Sequence, residues 1–121
     1  MITMSTVRYY TAQAVFDQIA THLLRQQERS ATNDTCDYRD GNGNACAVGC
    51  LMTDEEYLGT YQAYEGEGVC GLPGDFGDHF DLLGELQTLH DRHTVDEWRV
   101  QLKALADRYS LNTDAIQEIT A

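Results

Sequence analysis

The sequence predicts a mainly α-helical fold, and three observations carry that prediction. Apolar residues recur at helical spacing in three long stretches. Two helix starts carry the Thr-x-x-Glu signature of a capping box. The 121 residues are 42% hydrophobic, an ordinary share for a globular chain and enough for one core. The expectation is one globular domain over residues 1–121. It should hold three principal helices, a small β-hairpin or irregular segment around residues 36–48, and a long glycine-rich loop.

The first helix is expected over residues 11–29, where Ala12, Val15, Phe16, Ile19, Leu23 and Leu24 share a face. Turn formers from Ser30 to Thr35 end it. Asp40-Gly41 and Asn42-Gly43 supply the positive φ angles that tight hairpin turns need, which places the hairpin between Cys36 and Val48. Gly49 to Met52 should start a buried helical turn, and Thr53 should cap a short helix. From Gly59 to Gly77 glycines crowd together with Pro73 and no period is sustained. This reads as an irregular loop with a turn of helix near Tyr61–Tyr64. The second long helix is expected over residues 75–92, with Phe80, Leu83, Leu86 and Leu89 on its apolar side. The third opens on Thr94 and carries Trp98, Leu102, Leu105 and Tyr109 at i, i+4, i+7 and i+11. The tail, Asn112 to Thr120, should add a short helix packed through Leu111, Ile116 and Ile119.

Charge narrows the partner. The net charge is −12, and residues 31–90 hold −11 of it, with Arg39 alone set against twelve carboxylates. Such a field repels nucleic acid and anionic membrane and attracts basic surfaces. The expected partner is therefore a protein with a basic face. Glu65, Glu67, Asp75 and Asp78, in or beside the glycine-rich loop, are the candidate docking carboxylates. No apolar run approaches the roughly 20 residues that span a bilayer. Met1 to Thr6 lacks the regions of a secretory signal, so the expected setting is the cytoplasm.

Several motifs invite chemistry. Gly66-Glu67-Gly68-Val69-Cys70-Gly71 matches the dinucleotide fingerprint, but no strand precedes it and its carboxylates would repel a pyrophosphate. Asp40, Asn42 and Asn44 imitate a calcium loop, but Ala45 and Leu51 stand where the glycine and glutamate belong. Cys36, Cys46, Cys50 and Cys70 are the alternative zinc set. Only Cys46 and Cys50 have ligand spacing, so the expectation is no metal and no cofactor. Cys46 or Cys50 with His90 or His93 would make an enzyme, yet an acidic neighbourhood raises a thiol pKa. His90 and His93 read as a polar helix end rather than half a metal site. Arg39 is expected to pair with carboxylates and hold the hairpin to the body, and Tyr38 to pack.

At Cys36-Asp37-Tyr38-Arg39 and then Gly43 through Cys46-Ala47-Val48-Gly49-Cys50-Leu51, the chain resembles a family of small uncharacterised proteins encoded by bacteriophages and prophages. The likeness resumes at Leu86 to His93 and at Glu97-Trp98, so that it covers about half the chain. Cys36, Tyr38, Arg39, Cys46 and Gly49 are its structural signature. The resemblance implies a phage or prophage origin and a host cytoplasm, and it brings no catalytic residue. The expected function is that of a small acidic accessory protein that binds a basic surface of a host protein, as an inhibitor or nucleic-acid mimic. The alternatives are a zinc-stabilised binding module and a Cys/His enzyme.

Overall fold

A computed structural model describes residues 1–33 and 35–119. Among these residues there are four α-helices: α1 (Ala12–Gln26), α2 (Asp54–Gly59), α3 (Phe80–Arg92) and α4 (Val95–Arg108). The fold is mainly α. No helix is long and apolar enough to cross a membrane.

Helix α1 begins where Thr11 accepts a hydrogen bond from the Ala14 N–H. It ends at Gln26, three residues earlier than the periodicity suggests, because Gln27 turns left-handed with φ 54°. Its face of Val15, Phe16, Ile19, Ala20, Leu23 and Leu24 is buried. Helices α3 and α4 form a hairpin across His93 and Thr94, with the capping box of Thr94 and Glu97 starting the second arm. Helix α1 lies against both arms, and a 3₁₀ turn at Asp114–Ile116 folds back onto it. Trp98, Leu102 and Leu105 of α4 meet Leu82, Leu83 and Leu86 of α3 in the same core. Burying each such side chain contributes about 1.5–3 kcal/mol. The expected tail helix is this single 3₁₀ turn; Ile116 is buried, and Thr120 lies outside the described residues.

Two expectations need adjusting. The regular ladder is not built on the Asp40–Asn44 turn. It lies upstream, where β1 (Ala31–Thr32) runs antiparallel to β2 (Thr35–Cys36). Within residues 36–48 only one bridge forms, Arg39 opposite Ala45. The Asp40 N–H donates to the Asn44 carbonyl and the Cys46 N–H to the Tyr38 carbonyl, both at 3.1 Å, so the short hairpin is present. The Asp40 carboxylate closes its turn by accepting from the Asn42 and Asn44 N–H groups at 2.8 and 2.9 Å. The second correction is that α3 starts at Phe80 rather than Asp75. Gly77 sits at φ +61° and a 3₁₀ turn, Gly77–His79, leads into the helix. Phe80 consequently falls outside the buried stripe, which runs through Leu82, Leu83, Leu86 and Leu89, and is 43% exposed.

Candidate functional site

The signature segment is a knot in the backbone. Gly49 passes so close to Tyr38 that an added Cβ would lie 2.1 Å from its carbonyl oxygen. That carbonyl accepts the Cys46 N–H at 3.1 Å, and the Cys46 sulfur accepts the Gly49 N–H at 3.3 Å. The buried Tyr38 ring anchors the segment, and its hydroxyl donates to the Gly68 carbonyl at 2.7 Å. Arg39 clamps the other side. Its guanidinium donates to Asp54 and to the Met52 carbonyl, both at 2.6 Å, and lies over the Tyr57 ring. The spacing of Tyr38, Arg39, Cys46 and Gly49 thus has an architectural cause.

The cysteines do not converge. Cys46 and Cys50 are held as thiols: burial pushes Cys46 far up and Cys50 to about 12. Cys50 donates to the Ala47 carbonyl at 3.0 Å. Thiols held protonated in this way are poor nucleophiles near neutral pH. Among the described residues the one group within ligand distance is Cys36, His90 and Asp91, whose donor atoms lie within 4.8 Å of one another. The residues of the alternative zinc set therefore share no site there.

This trio does not fit a metal either. The Ser30 N–H donates to His90 Nε2 at 3.0 Å, so that nitrogen carries a lone pair and Nδ1 carries the proton. Nδ1–H donates to Asp91 at 2.8 Å. Moving the proton to free Nδ1 for a metal would set two donors face to face at Ser30. The same arrangement leaves His90 no nitrogen with which to deprotonate Cys36, whose thiol burial and Asp91 together push up to about 11. Burial pushes the Asp91 carboxyl up, but hydrogen bonds from His90, Cys36 and Gln87 outweigh it and hold it below the ordinary range. Gln87 also accepts the Val48 N–H at 3.1 Å, and Trp98 stacks on His90. The network pins the signature segment to α3.

The four candidate docking carboxylates separate into two kinds. Glu65 turns inward and accepts from the Tyr38 N–H at 2.7 Å, the Arg39 N–H and the Tyr57 hydroxyl. Asp75 accepts from the Gly77 N–H and pairs with Arg8 at 2.7 Å. Both hold the fold. Glu67 and Asp78 are exposed and pair with none of the described cations, and Asp81 joins them. Asp78 and Asp81 flank the exposed Phe80.

Phe80 and Asp81 line a groove of about 570 Å³ between α3, α4 and the Gly68–Cys70 strip. Glu67 adjoins that strip. Buried Leu89 and Leu105 form the floor, and Glu85 and Asp91 add carboxylates against Arg108, which pairs with Glu85 at 2.8 Å. A larger, more open cleft of about 1020 Å³ runs along α1 past His22, Arg25 and Cys50. His22 donates Nε2–H to the Ala45 carbonyl at 2.8 Å, and burial lowers its pKa. Asp81 was not foreseen as part of this face, and Phe80 was placed on the apolar side of its helix instead. The signal was present in Leu82 beside Leu83, two adjacent candidates for one core stripe. No family model, curated protein or solved structure matches the chain.

Proposed function

We propose that this chain is a small acidic accessory protein that docks on a basic surface of another protein. The observation that carries the reading is the division of its carboxylates. Asp40, Asp54, Glu56, Glu65, Asp75 and Glu85 are occupied by backbone donors or by arginines. Glu67, Asp78 and Asp81 are exposed and pair with none of the described cations, and Asp78 and Asp81 flank an exposed phenylalanine that the core does not use. Carboxylates around an aromatic are suited to arginine and lysine side chains, by charge and by stacking. The same charge disfavours direct contact with nucleic acid or anionic membrane. With the phage resemblance, the reading becomes a phage- or prophage-encoded protein in the host cytoplasm. There it occupies the nucleic-acid site of a host protein as an inhibitor or mimic.

The test is capture from bacterial extract on immobilised wild type and on a Glu67→Gln/Asp78→Asn/Asp81→Asn variant. A basic protein retained by the first and lost from the second supports docking. Equal retention on both refutes it.

A further inference from the structure

The groove between α3 and α4 contains a residue that neither the helix nor the core requires. Gly84 stands in the middle of α3, where glycine is less stable than alanine. A Cβ at Gly84 would meet no atom within 4 Å, in contrast to Gly49, whose Cβ would strike backbone. Packing inside the chain therefore gives no reason for the missing side chain. Along α3 the glycine lies one turn from Phe80 and one turn from Thr88, both exposed. The groove thus runs from an aromatic, over a bare stretch of helix, to a small residue. Leu89 and Leu105 lie beneath it, and Asp81, Glu85 and Asp91 line it against the single arginine, Arg108.

We infer that this groove seats a cationic amphipathic helix of the partner protein. The inference rests on the docking reading and narrows it to one occupant. Two neighbouring helices joined by a short link offer a third helix a ready furrow, and a small residue at the crossing lets the two backbones approach. The apolar stripe of the incoming helix packs over Gly84, between Phe80 and Leu89. Its lysines and arginines flank that stripe and face Asp81 in the groove lining, with Glu67 next in sequence to the lining residue Gly68 and Asp78 one removed from Phe80. The groove has no strand edge, so an extended peptide would find no ladder to join.

The chain carries its own reporter. Cys70 is exposed and lines the groove, whereas Cys46 is buried and Cys36 and Cys50 are pushed up to about 11 and about 12. Cys70 is thus the thiol that iodoacetamide modifies first. The probe is a synthetic peptide of leucine and lysine with helical spacing, about 18 residues long so that it forms about five turns. A scrambled isomer of the same composition, without an apolar face, is the control. The helical isomer should bind, slow Cys70 alkylation about tenfold, and exceed the scrambled isomer in affinity about tenfold. Gly84→Leu should lose most of that affinity. Gly84→Ala should keep the fold, raise the melting temperature and lose a smaller part, which keeps the test decisive if the leucine variant unfolds. Equal binding of the two isomers, or unchanged Cys70 reactivity with tight binding by Gly84→Ala, overturns the groove. If both isomers then still depend on Glu67, Asp78 and Asp81, docking stands without a helical occupant. If they do not, both readings fall.

Discussion

Replacing Gly49 by alanine tests the knot that organises the signature segment. The new methyl would lie 2.1 Å from the Tyr38 oxygen, 2.8 Å from its carbonyl carbon and 3.1 Å from its Cα. All three are backbone atoms, so no side-chain rotation relieves the clash. The chain must separate, and the Cys46 N–H to Tyr38 and Gly49 N–H to Cys46 bonds are stretched with it. Overpacking costs about 1–3 kcal/mol, and each bond lost adds about 0.5–1.5 kcal/mol. A total near 3 kcal/mol corresponds to a fall of roughly 10 °C in a domain of this size. Gly41→Ala is the control, since a Cβ there meets nothing within 4 Å. Thermal unfolding followed by circular dichroism reads both. A Gly49→Ala variant that melts within a degree or two of wild type refutes the knot.

Other consequences follow from the same geometry. Trp98 is fully buried, stacks on His90 and donates to the His93 carbonyl at 3.2 Å, so Trp98→Ala should cost about 3–5 kcal/mol; an unchanged melting midpoint would remove it from the core. The Cys36 and Cys50 thiols ionise at higher pH when folded than their ordinary value of 9.0. Their stabilisation is complete below pH 9 and drains away as pH rises towards 11–12, which urea titrations at pH 8 and pH 10.5 will register. His22 has the opposite dependence. Its folded pKa is lowered, so its contribution is present above about pH 6.5 and is lost as pH falls below that value; His22→Gln should flatten this limb. Purified protein should carry no stoichiometric zinc, because His90 is committed to Ser30 and Asp91. One zinc per chain, with unfolding on chelation, would contradict that.

Periodicity and capping are local, and they made most of the fold legible. The stripe through Trp98, Leu102 and Leu105 and the boxes at Thr53 and Thr94 stand where the sequence places them. That Arg39 pairs with a carboxylate was foreseeable too, since no other lysine or arginine lies between Arg29 and Arg92; that the partner is Asp54 was not. What escaped depends on distant partners. The short hairpin arms at Arg39 and Ala45 were legible, but not that the Asp40 carboxylate would close the turn by accepting two N–H groups. Glu65 looked like surface charge until Tyr38, 27 residues away, gave it an N–H. His90 showed helix-end composition, while its burial and its tautomer are set by Ser30, 60 residues earlier. Gly84 had no visible meaning in a helical pattern, because only the empty space beside it separates it from Gly49.

The central claim is that Glu67, Asp78 and Asp81 guide a basic partner onto the Phe80 face. Its most direct test is the association rate of wild type with the protein captured from extract, measured by stopped flow against ionic strength. The Glu67→Gln/Asp78→Asn/Asp81→Asn variant is run in parallel. The Debye length falls from about 10 Å at 0.1 M to about 3 Å at 1 M, so long-range attraction should fade across that range. The account predicts a wild-type rate that falls steeply with salt. The variant should be slow and nearly salt-independent with an unchanged melting temperature, because exposed unpaired carboxylates stabilise the fold little. A rate indifferent to both salt and substitution would contradict it.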